Sequence, residues 1–202
     1  MYGILIYDDV EPIDIGASYG VLSIARRIAP DLVFRGVARN AGPVTCANGL
    51  QVMADHSFQD APDFTEMIVT GGPGWVQAAQ DDETLDYLRG SSARMTAICT
   101  GAMILAAAGL LTGHQATTKH RVFEGETPPV DLLPNDVQTR QAVVVEDGGV
   151  TTGGGITLGI DTVFHALARS HGQDVADETA RVMEYDRALA ANAAALGRIV
   201  PA

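Results

Sequence analysis

The chain has 202 residues, enough for one domain with a sizeable core and too few for two domains of ordinary size. Hydrophobic residues make up 47% of it and charged residues 19%, a balance that excludes a disordered chain. The formal net charge is −12, and Lys119 is the only lysine. This charge argues against nucleic acid as a partner, because such a partner needs a basic surface to replace its phosphate counterions.

Two features argue against a membrane or secreted protein. The longest apolar run, residues 102–111, is too short to span a bilayer. Met1 leads directly into an apolar segment, without the basic stretch that begins a signal peptide. We therefore expect no membrane partner and a cytoplasmic location. In that compartment the two cysteines do not indicate a disulfide framework, and we interpret Cys46 as a small structural residue.

The first half of the chain shows strands that alternate with helices. Apolar residues after Pro12 recur at helical spacing, and Asn48-Gly49 is the dipeptide most typical of a tight hairpin. In chain order the pattern predicts a strand over 1–7, a helix over 12–28, a strand over 32–38, an extended hairpin over 44–54, a strand over 66–70 and a helix over 81–89.

The second half continues the alternation. It predicts a strand over 94–98, a nearly all-apolar helix over 100–111, extended pieces over 115–118 and 142–146, a helix after 153–155, a helix over 174–183 and an alanine-rich tail. A helix that is apolar all round is buried, so the helix over 100–111 is expected near the middle of the molecule. The sequence thus predicts a single α/β domain, with a mainly parallel sheet covered on both faces and one small antiparallel hairpin.

Candidate functional residues fall at one edge of this sheet. In a parallel sheet with helices on both faces, ligands bind beyond the carboxyl ends of the strands. The Gly71–Gly74 loop, Cys99 and the turn after residues 115–118 all lie there by this interpretation, and Asp14 begins the first helix at the same edge. We therefore expect these groups to converge.

Cys99 carries the strongest signal for chemistry. It stands between a buried strand and the start of a helix, the arrangement of a nucleophile elbow, and Gly101 leaves room for close backbone approach. The free N–H groups and dipole of the helix would favour a thiolate, which predicts a pKa below the ordinary value of about 8.5. A buried cysteine that only packs as a small apolar residue is the alternative.

The other candidates leave two interpretations open. The Gly71–Gly74 loop can offer N–H groups to an anion, or it can be a simple turn, since it lacks G-x-G-x-x-G spacing. Asp14 can belong to the site or can merely match the dipole of its helix. His120 lies at the active edge beside Lys119, and the histidines show no metal-ligand spacing.

Together these residues resemble the DJ-1/PfpI superfamily, and within it most closely the isocyanide hydratases. The resemblance extends from Ile4 to about Asp186. Its motifs are Ala97-Ile98-Cys99-Thr100-Gly101-Ala102 with residues 108–113 and 116–118, then residues 150–161, and finally Glu184-Tyr185-Asp186.

The resemblance implies a fold and a catalytic set. The fold would be a flavodoxin-like three-layer sandwich with a mainly parallel central sheet, formed by residues 1–202 as one DJ-1/PfpI-like domain and assembled as a homodimer. Cys99 would be the nucleophile, and Asp14, the acid that the hydratases carry near the first helix, would orient a water molecule. Amides of Gly72 and Thr100 would form the oxyanion side, with the Thr100 hydroxyl able to contribute.

The substrate-binding positions that the resemblance implies are Gly71, Gly72, Lys119 and His120. Relatives usually read Thr-Thr-His-Trp where this chain has Thr117-Thr118-Lys119-His120, so the histidine is shifted by one place. In extended structure such a shift turns the side chain to the opposite face. An ordinary lysine is protonated at neutral pH, and we therefore expect that Lys119 is not a catalytic base.

These residues predict a cysteine-dependent hydro-lyase that acts on a small molecule. Water would add to an isocyanide through a thioimidate on Cys99 and give an N-formamide, with neither a metal nor an organic cofactor. Two alternatives stay open. One is glyoxalase- or deglycase-type action on reactive aldehydes with the same cysteine, and the other is a non-catalytic sensor or ligand-binding module.

Overall fold

The structure is a computed structural model that describes residues 1–200. Its strands are β1 (Tyr2–Leu5), β2 (Phe34–Ala38), β3 (Gly42–Thr45), β4 (Gln51–Ala54), β5 (His56–Ser57), β6 (Glu66–Val69), β7 (Arg94–Ala97), β8 (Gln115–Ala116), β9 (Gln138–Thr139), β10 (Val144–Asp147), β11 (Val150–Gly153) and β12 (Arg198–Ile199). Its helices are α1 (Pro12–Ala25), α2 (Trp75–Ala78), α3 (Asp82–Gly90), α4 (Gly101–Ala107), α5 (Leu158–His171), α6 (Gln173–Val182) and α7 (Asp186–Leu196).

The main sheet has the strand order β12-β10-β11-β7-β6-β1-β2-β5. Adjacent strands of this sheet are parallel, except for β10 and β11, which pair antiparallel. The strands β3 and β4 form a separate antiparallel hairpin. The mainly parallel sheet and the small hairpin predicted from the sequence are therefore confirmed.

Helices cover both faces of this sheet. Ile4 and Leu5 are neighbours on β1, and they belong to different cores because successive side chains of a strand point to opposite faces. The core around Ile4 contains apolar side chains of α1, α5 and α6, together with buried Cys46. The core around Leu5 contains those of α3 and α4. The three-layer arrangement that the sequence predicted is confirmed.

Local sequence explains where two helices begin. Pro12 is the first residue of α1, a position where proline is tolerated because its missing N–H would have no helical partner. The Asp81 side chain caps α3 by accepting a hydrogen bond from the Thr84 backbone N–H at 3.1 Å. As predicted, α4 is buried from Gly101 to Leu105, although it ends at Ala107 rather than at residue 111.

Among the elements that the sequence did not predict are a strand of the main sheet and a helix near the end of the chain. The strand β11 lies in a segment whose Thr and Gly residues gave no clear alternation, and it forms with β10 a second antiparallel pair around Gly148-Gly149. The alanine-rich tail forms helix α7, in accordance with the high helix propensity of alanine. The expected turn at Asn48-Gly49 is a longer loop, closed by a hydrogen bond from the Cys46 N–H to the Leu50 carbonyl at 2.7 Å.

Two kinds of feature are missing from residues 1–200. None of the helices there combines the length and the apolar character needed to cross a membrane. No three His, Cys, Asp or Glu side chains among these residues form a group that could hold a metal ion. The cytoplasmic location and the homodimer stay predictions.

Candidate active site

Cys99 lies in a sharp turn between β7 and α4. Its φ angle is 53°, in the left-handed region that costs a non-glycine residue about 1–2 kcal/mol. The backbone of this turn is held by the Thr118 hydroxyl, which donates a hydrogen bond to the Cys99 carbonyl at 2.7 Å. The predicted elbow geometry is therefore present, and its strain is typical of functional sites.

Glycines allow close packing on both sides of the elbow. A Cβ atom at Gly101 would lie 2.1 Å from the Val69 carbonyl oxygen, so the start of α4 approaches β6 more closely than any other residue would permit. A Cβ atom at Gly155 would lie 2.4 Å from the Cys99 Sγ. In the turn over residues 153–155, Gly155 packs against the Cys99 thiol and Gly153 packs against Thr162 of α5.

Asp14 is fully buried in the first turn of α1. Its Oδ2 accepts a hydrogen bond from the Gly71 N–H at 2.8 Å, and its Oδ1 accepts none from any residue in 1–200. If Asp14 only interacted favourably with the dipole of α1, its carboxylate would be exposed or would accept a hydrogen bond from a backbone N–H of α1. The Asp14 carboxylate instead points across to the loop after β6.

Gly71 links this carboxylate to the elbow. A Cβ atom at Gly71 would lie 2.8 Å from the Asp14 Oδ2, 2.8 Å from the Cys99 Cβ and 2.6 Å from the Thr100 N. Asp14 and Cys99 are therefore neighbours across a position that only glycine can fill. The convergence of these groups at the carboxyl edge, which the sequence predicted, is a feature of the structure.

Gly72 and Thr100 are hydrogen-bonded to each other. The Gly72 N–H donates to the Thr100 Oγ1 at 2.9 Å, and the Thr100 hydroxyl donates to the Gly72 carbonyl at 3.3 Å. Both residues line the cavity at Cys99. For the Gly72 amide to contact a developing negative charge, as the resemblance implies, it has to exchange its Thr100 partner for the substrate.

Burial dominates the electrostatics of Cys99. Loss of water, and secondly the charge of Asp14, raise the pKa of the thiol to about 12, although the Thr100 amide and the Lys119 ammonium act in the opposite direction. The expectation of a lowered pKa is therefore wrong, because Cys99 is only 3% exposed and its thiol lies near the Asp14 carboxylate. At neutral pH the resting side chain is the thiol.

Burial also raises the pKa of Asp14, from 3.8 to about 7. The hydrogen bond from Gly71 opposes this rise, while the charge of Glu11 adds to it and the charge of Lys119 opposes it. Asp14 can consequently take up and release a proton near neutral pH, which is the property that a general base or acid requires.

A cavity of about 360 Å³ opens above Cys99. Its walls are mostly apolar, with two carboxylates and one ammonium among them. The residues that line it besides Gly72, Cys99 and Thr100 are Glu11, Pro73, Trp75, Lys119, Val122, Phe123, Glu126, Thr127, Pro129, Leu132 and Ile156. Most of the apolar side chains belong to residues 122–132, which follow β8 and which the sequence did not single out.

Lys119 and His120 have different environments. Lys119 lines the cavity with Cys99, whereas His120 does not, and its Nε2 lies 3.0 Å from the Thr117 Oγ1. The shift of the histidine by one place thus removes the imidazole from the cavity. Substrate binding by His120 stays a prediction that this geometry does not favour.

Known proteins resemble the chain over most of its length. An isonitrile hydratase from Pseudomonas putida is 36% identical over 91% of this chain and 77% of that protein; isonitrile is a synonym of isocyanide. The crystal structure of a THiJ/PfpI family protein from Pseudomonas syringae superposes with a TM-score of 0.79, at 29% identity over 92% of this chain and 74% of that one.

A second type of relative is regulatory. The HTH-type transcriptional regulator GbdR of Pseudomonas aeruginosa is 25% identical over 92% of this chain, which spans 50% of the length of the regulator. The sequence profile of the DJ-1/PfpI family matches residues 3–169, a range that includes the elbow, Asp14 and the turn over 153–155. The chain therefore belongs to the DJ-1/PfpI family.

Proposed function

We propose that this protein is a cysteine-dependent hydro-lyase that adds water to an isocyanide and releases an N-formamide. The observation that carries the proposal is the arrangement around Gly71. There the buried Asp14 carboxylate, which has one oxygen without a hydrogen bond within residues 1–200, lies next to the Cys99 side chain, and a small cavity opens above them. The 36% identity to an isonitrile hydratase supports the same activity.

The first step joins the thiol to the terminal carbon of the isocyanide. The sulfur forms a bond to that carbon while the thiol proton moves to the same carbon, which gives a thioimidate, R–N=CH–S–Cys99. No group leaves, and the step uses a neutral thiol. The raised pKa of Cys99 is therefore compatible with this chemistry.

The second step adds water to the thioimidate. Asp14 takes a proton from water as the oxygen bonds to carbon, and it passes a proton to the nitrogen, which gives R–NH–CH(OH)–S–Cys99. The C–S bond then breaks, the hydroxyl proton returns to sulfur through Asp14, and R–NH–CHO leaves. A carboxyl group with a pKa of about 7 suits both directions of transfer.

The cavity walls favour an uncharged, apolar group R. Trp75, Phe123 and Leu132 offer aromatic and aliphatic surface, and Glu11 and Glu126 disfavour a negatively charged substituent. Cyclohexyl and aryl isocyanides are consequently the substrates to test first.

A ligand-binding module is the second candidate, and the similarity to the regulator GbdR favours it. A module of this kind would bind a small molecule in the same cavity without turnover.

The test is the incubation of purified protein with cyclohexyl isocyanide, an aryl isocyanide and, separately, methylglyoxal. We expect N-formamide from the isocyanides and none with Cys99→Ala. Consumption of methylglyoxal alone would favour action on aldehydes, and saturable binding without product from any of the three would favour the ligand-binding module.

A further inference from the structure

The peptide group between Thr70 and Gly71 is hydrogen-bonded at both ends. Its carbonyl, that of Thr70, accepts a hydrogen bond from the Tyr7 hydroxyl at 2.9 Å. Its N–H, that of Gly71, donates to the Asp14 Oδ2 at 2.8 Å. One rigid, planar group thus connects a phenol to the carboxylate beside Cys99.

The orientation of this peptide is fixed by the residues around it. Thr70 is fully buried at the end of β6, and its hydroxyl donates to the Leu5 carbonyl of β1 at 2.6 Å. Gly71 has no space for a side chain, and its own carbonyl accepts a hydrogen bond from the Glu11 N–H at 2.9 Å. The Gly71 N–H therefore has one direction available, which is toward Asp14.

Tyr7 cannot act on a substrate directly. It is not among the residues that line the cavity at Cys99. It lines a separate cavity of about 420 Å³, together with Asp8, Arg39 and Gly74. Burial and the charge of Asp14 raise the pKa of Tyr7, so its phenol stays protonated and remains a donor. Its hydrogen bond to the Thr70 carbonyl is the contact through which Tyr7 can hold Asp14 in place.

We propose that Tyr7 is a positioning residue, which holds and polarises the Thr70–Gly71 peptide so that the Gly71 N–H secures the Asp14 carboxylate beside Cys99. A donor on a carbonyl strengthens the hydrogen bond that the N–H of the same peptide makes, because chains of hydrogen bonds polarise one another. The role of Asp14 in turnover rests on the proposed function, whereas its placement by Tyr7 does not.

Removal of the Tyr7 hydroxyl has a defined consequence. In Tyr7→Phe the Gly71 N–H becomes a weaker donor, and the ionised form of Asp14 loses part of its stabilisation. The pKa of Asp14 should therefore rise further, by a few tenths of a unit up to about half a unit, the size that a weakening of about 10–30% in a hydrogen bond to a charged group produces. The other charged groups that face Asp14, namely Glu11 and Lys119, are unchanged by this variant.

The experiment measures the rate of Cys99 alkylation by iodoacetamide between pH 5 and 9, with peptide mapping. An inflection in the pH dependence of this rate that is absent from Asp14→Asn belongs to Asp14. We expect Tyr7→Phe to move that inflection to higher pH. Tyr87→Phe is the matched control, because Tyr87 stacks on Phe58 and its hydroxyl makes no hydrogen bond to the Thr70–Gly71 peptide. In an Asp14→Asn background, Tyr7→Phe should not change the alkylation rate further. If Tyr7 had only a general structural role, its effect on the rate would add to that of Asp14→Asn.

An unmoved inflection in Tyr7→Phe, an equal shift in Tyr87→Phe, or an equal effect with and without Asp14 would overturn the proposal. An alkylation profile without any Asp14-dependent inflection would overturn it as well. If Tyr7→Phe fails to fold, Tyr7→Met removes the same hydroxyl with a smaller and more flexible apolar side chain. The formamide assay is separate: a protein inactive toward isocyanides that still shows the Tyr7-dependent shift would refute the proposed function and leave this inference supported.

Discussion

Asp14 is fully buried, and only one of its two carboxylate oxygens is hydrogen-bonded within residues 1–200. Such a position disfavours the ionised form, which is why burial raises the pKa to about 7. The native state therefore holds a proton on Asp14 up to neutral pH, while the unfolded chain releases it near pH 4. A residue suited to proton transfer is thus expected to lower the stability of the protein at neutral pH.

This cost predicts how stability changes in Asp14→Asn. Because the folded pKa lies above the unfolded value, the native protein loses stability as pH rises from about 4 to 7, and it loses nothing below pH 4. The amide cannot ionise, and it still offers an oxygen to the Gly71 N–H. Relative to the unaltered protein, Asp14→Asn should be equally stable at pH 4 and more stable by up to about 4 kcal/mol at pH 8.

Urea unfolding across this pH range measures the difference. Asp60→Asn is the control of opposite sign, since hydrogen bonds from Ser57 lower the pKa of Asp60. That variant should be the less stable protein above pH 4, with the difference lost as pH falls through the folded pKa of Asp60. An Asp14→Asn protein that is destabilised at pH 8 would show that the carboxylate is a structural partner and not a buried base.

At the scale of elements, the turn between β11 and α5 closes one side of the thiol. Gly155 has no side chain, and the Cys99 Sγ occupies the space that a Cβ atom would need. The turn also brings Ile156 into the cavity wall. Tyr185, which precedes α7, contacts α5 by donating a hydrogen bond to the Oδ2 of Asp161, a residue of that helix, at 3.0 Å.

Gly155→Ala should therefore inactivate the thiol with little effect on folding elsewhere. Its methyl group displaces either the Cys99 Sγ or the turn, and a displacement of about 1 Å costs about 10²-fold in rate. We expect that loss in formamide production, together with a changed rate of Cys99 alkylation. Gly154→Ala is the neighbouring control, because its Cβ atom would contact only the flexible Leu158 side chain, whose end lies at 2.8 Å. Unchanged alkylation of Gly155→Ala would contradict this packing.

At the scale of the whole molecule, the buried carboxylates at the two edges of the sheet differ in their partners. At the amino edge, buried Glu66 accepts from the Thr96 hydroxyl at 2.5 Å and pairs with Arg169 at 2.6 Å, and Arg169 also pairs with Glu146 at 3.1 Å. Each carboxylate there faces a cation. At the carboxyl edge, Asp14 forms no ion pair within residues 1–200: it accepts a hydrogen bond from the Gly71 N–H beside the Cys99 thiol, and Lys119 acts on it only through its charge. That difference leaves the Asp14 carboxyl group free to exchange a proton.

The sequence predicted the sheet, the elbow and the edge at which the site lies, because strand–helix alternation and the glycines around Cys99 are local patterns. Asp14 was ambiguous, since its partner Gly71 is 57 residues away in the chain. The raised pKa of Cys99 was not predicted, because burial depends on the assembled fold. Tyr7 and Gly155 were missed for the same reason: their contacts are made only when separate elements meet.

The central claim is that Cys99 bonds to the isocyanide carbon and that Asp14 drives the addition of water to the product of that step. Asp14→Asn separates the two steps, because it leaves the thiol in place and removes the base. The most direct measurement is mass spectrometry of this variant after incubation with an aryl isocyanide, with the double variant Asp14→Asn, Cys99→Ala as the control.

We predict that the peptide containing Cys99 gains the mass of one isocyanide molecule in Asp14→Asn and that the double variant gains none. Formamide production by Asp14→Asn should fall by at least about 10²-fold, the lower range of general acid–base effects. An adduct on Cys46 instead of Cys99, or formamide production undiminished by the loss of Asp14, would contradict the mechanism.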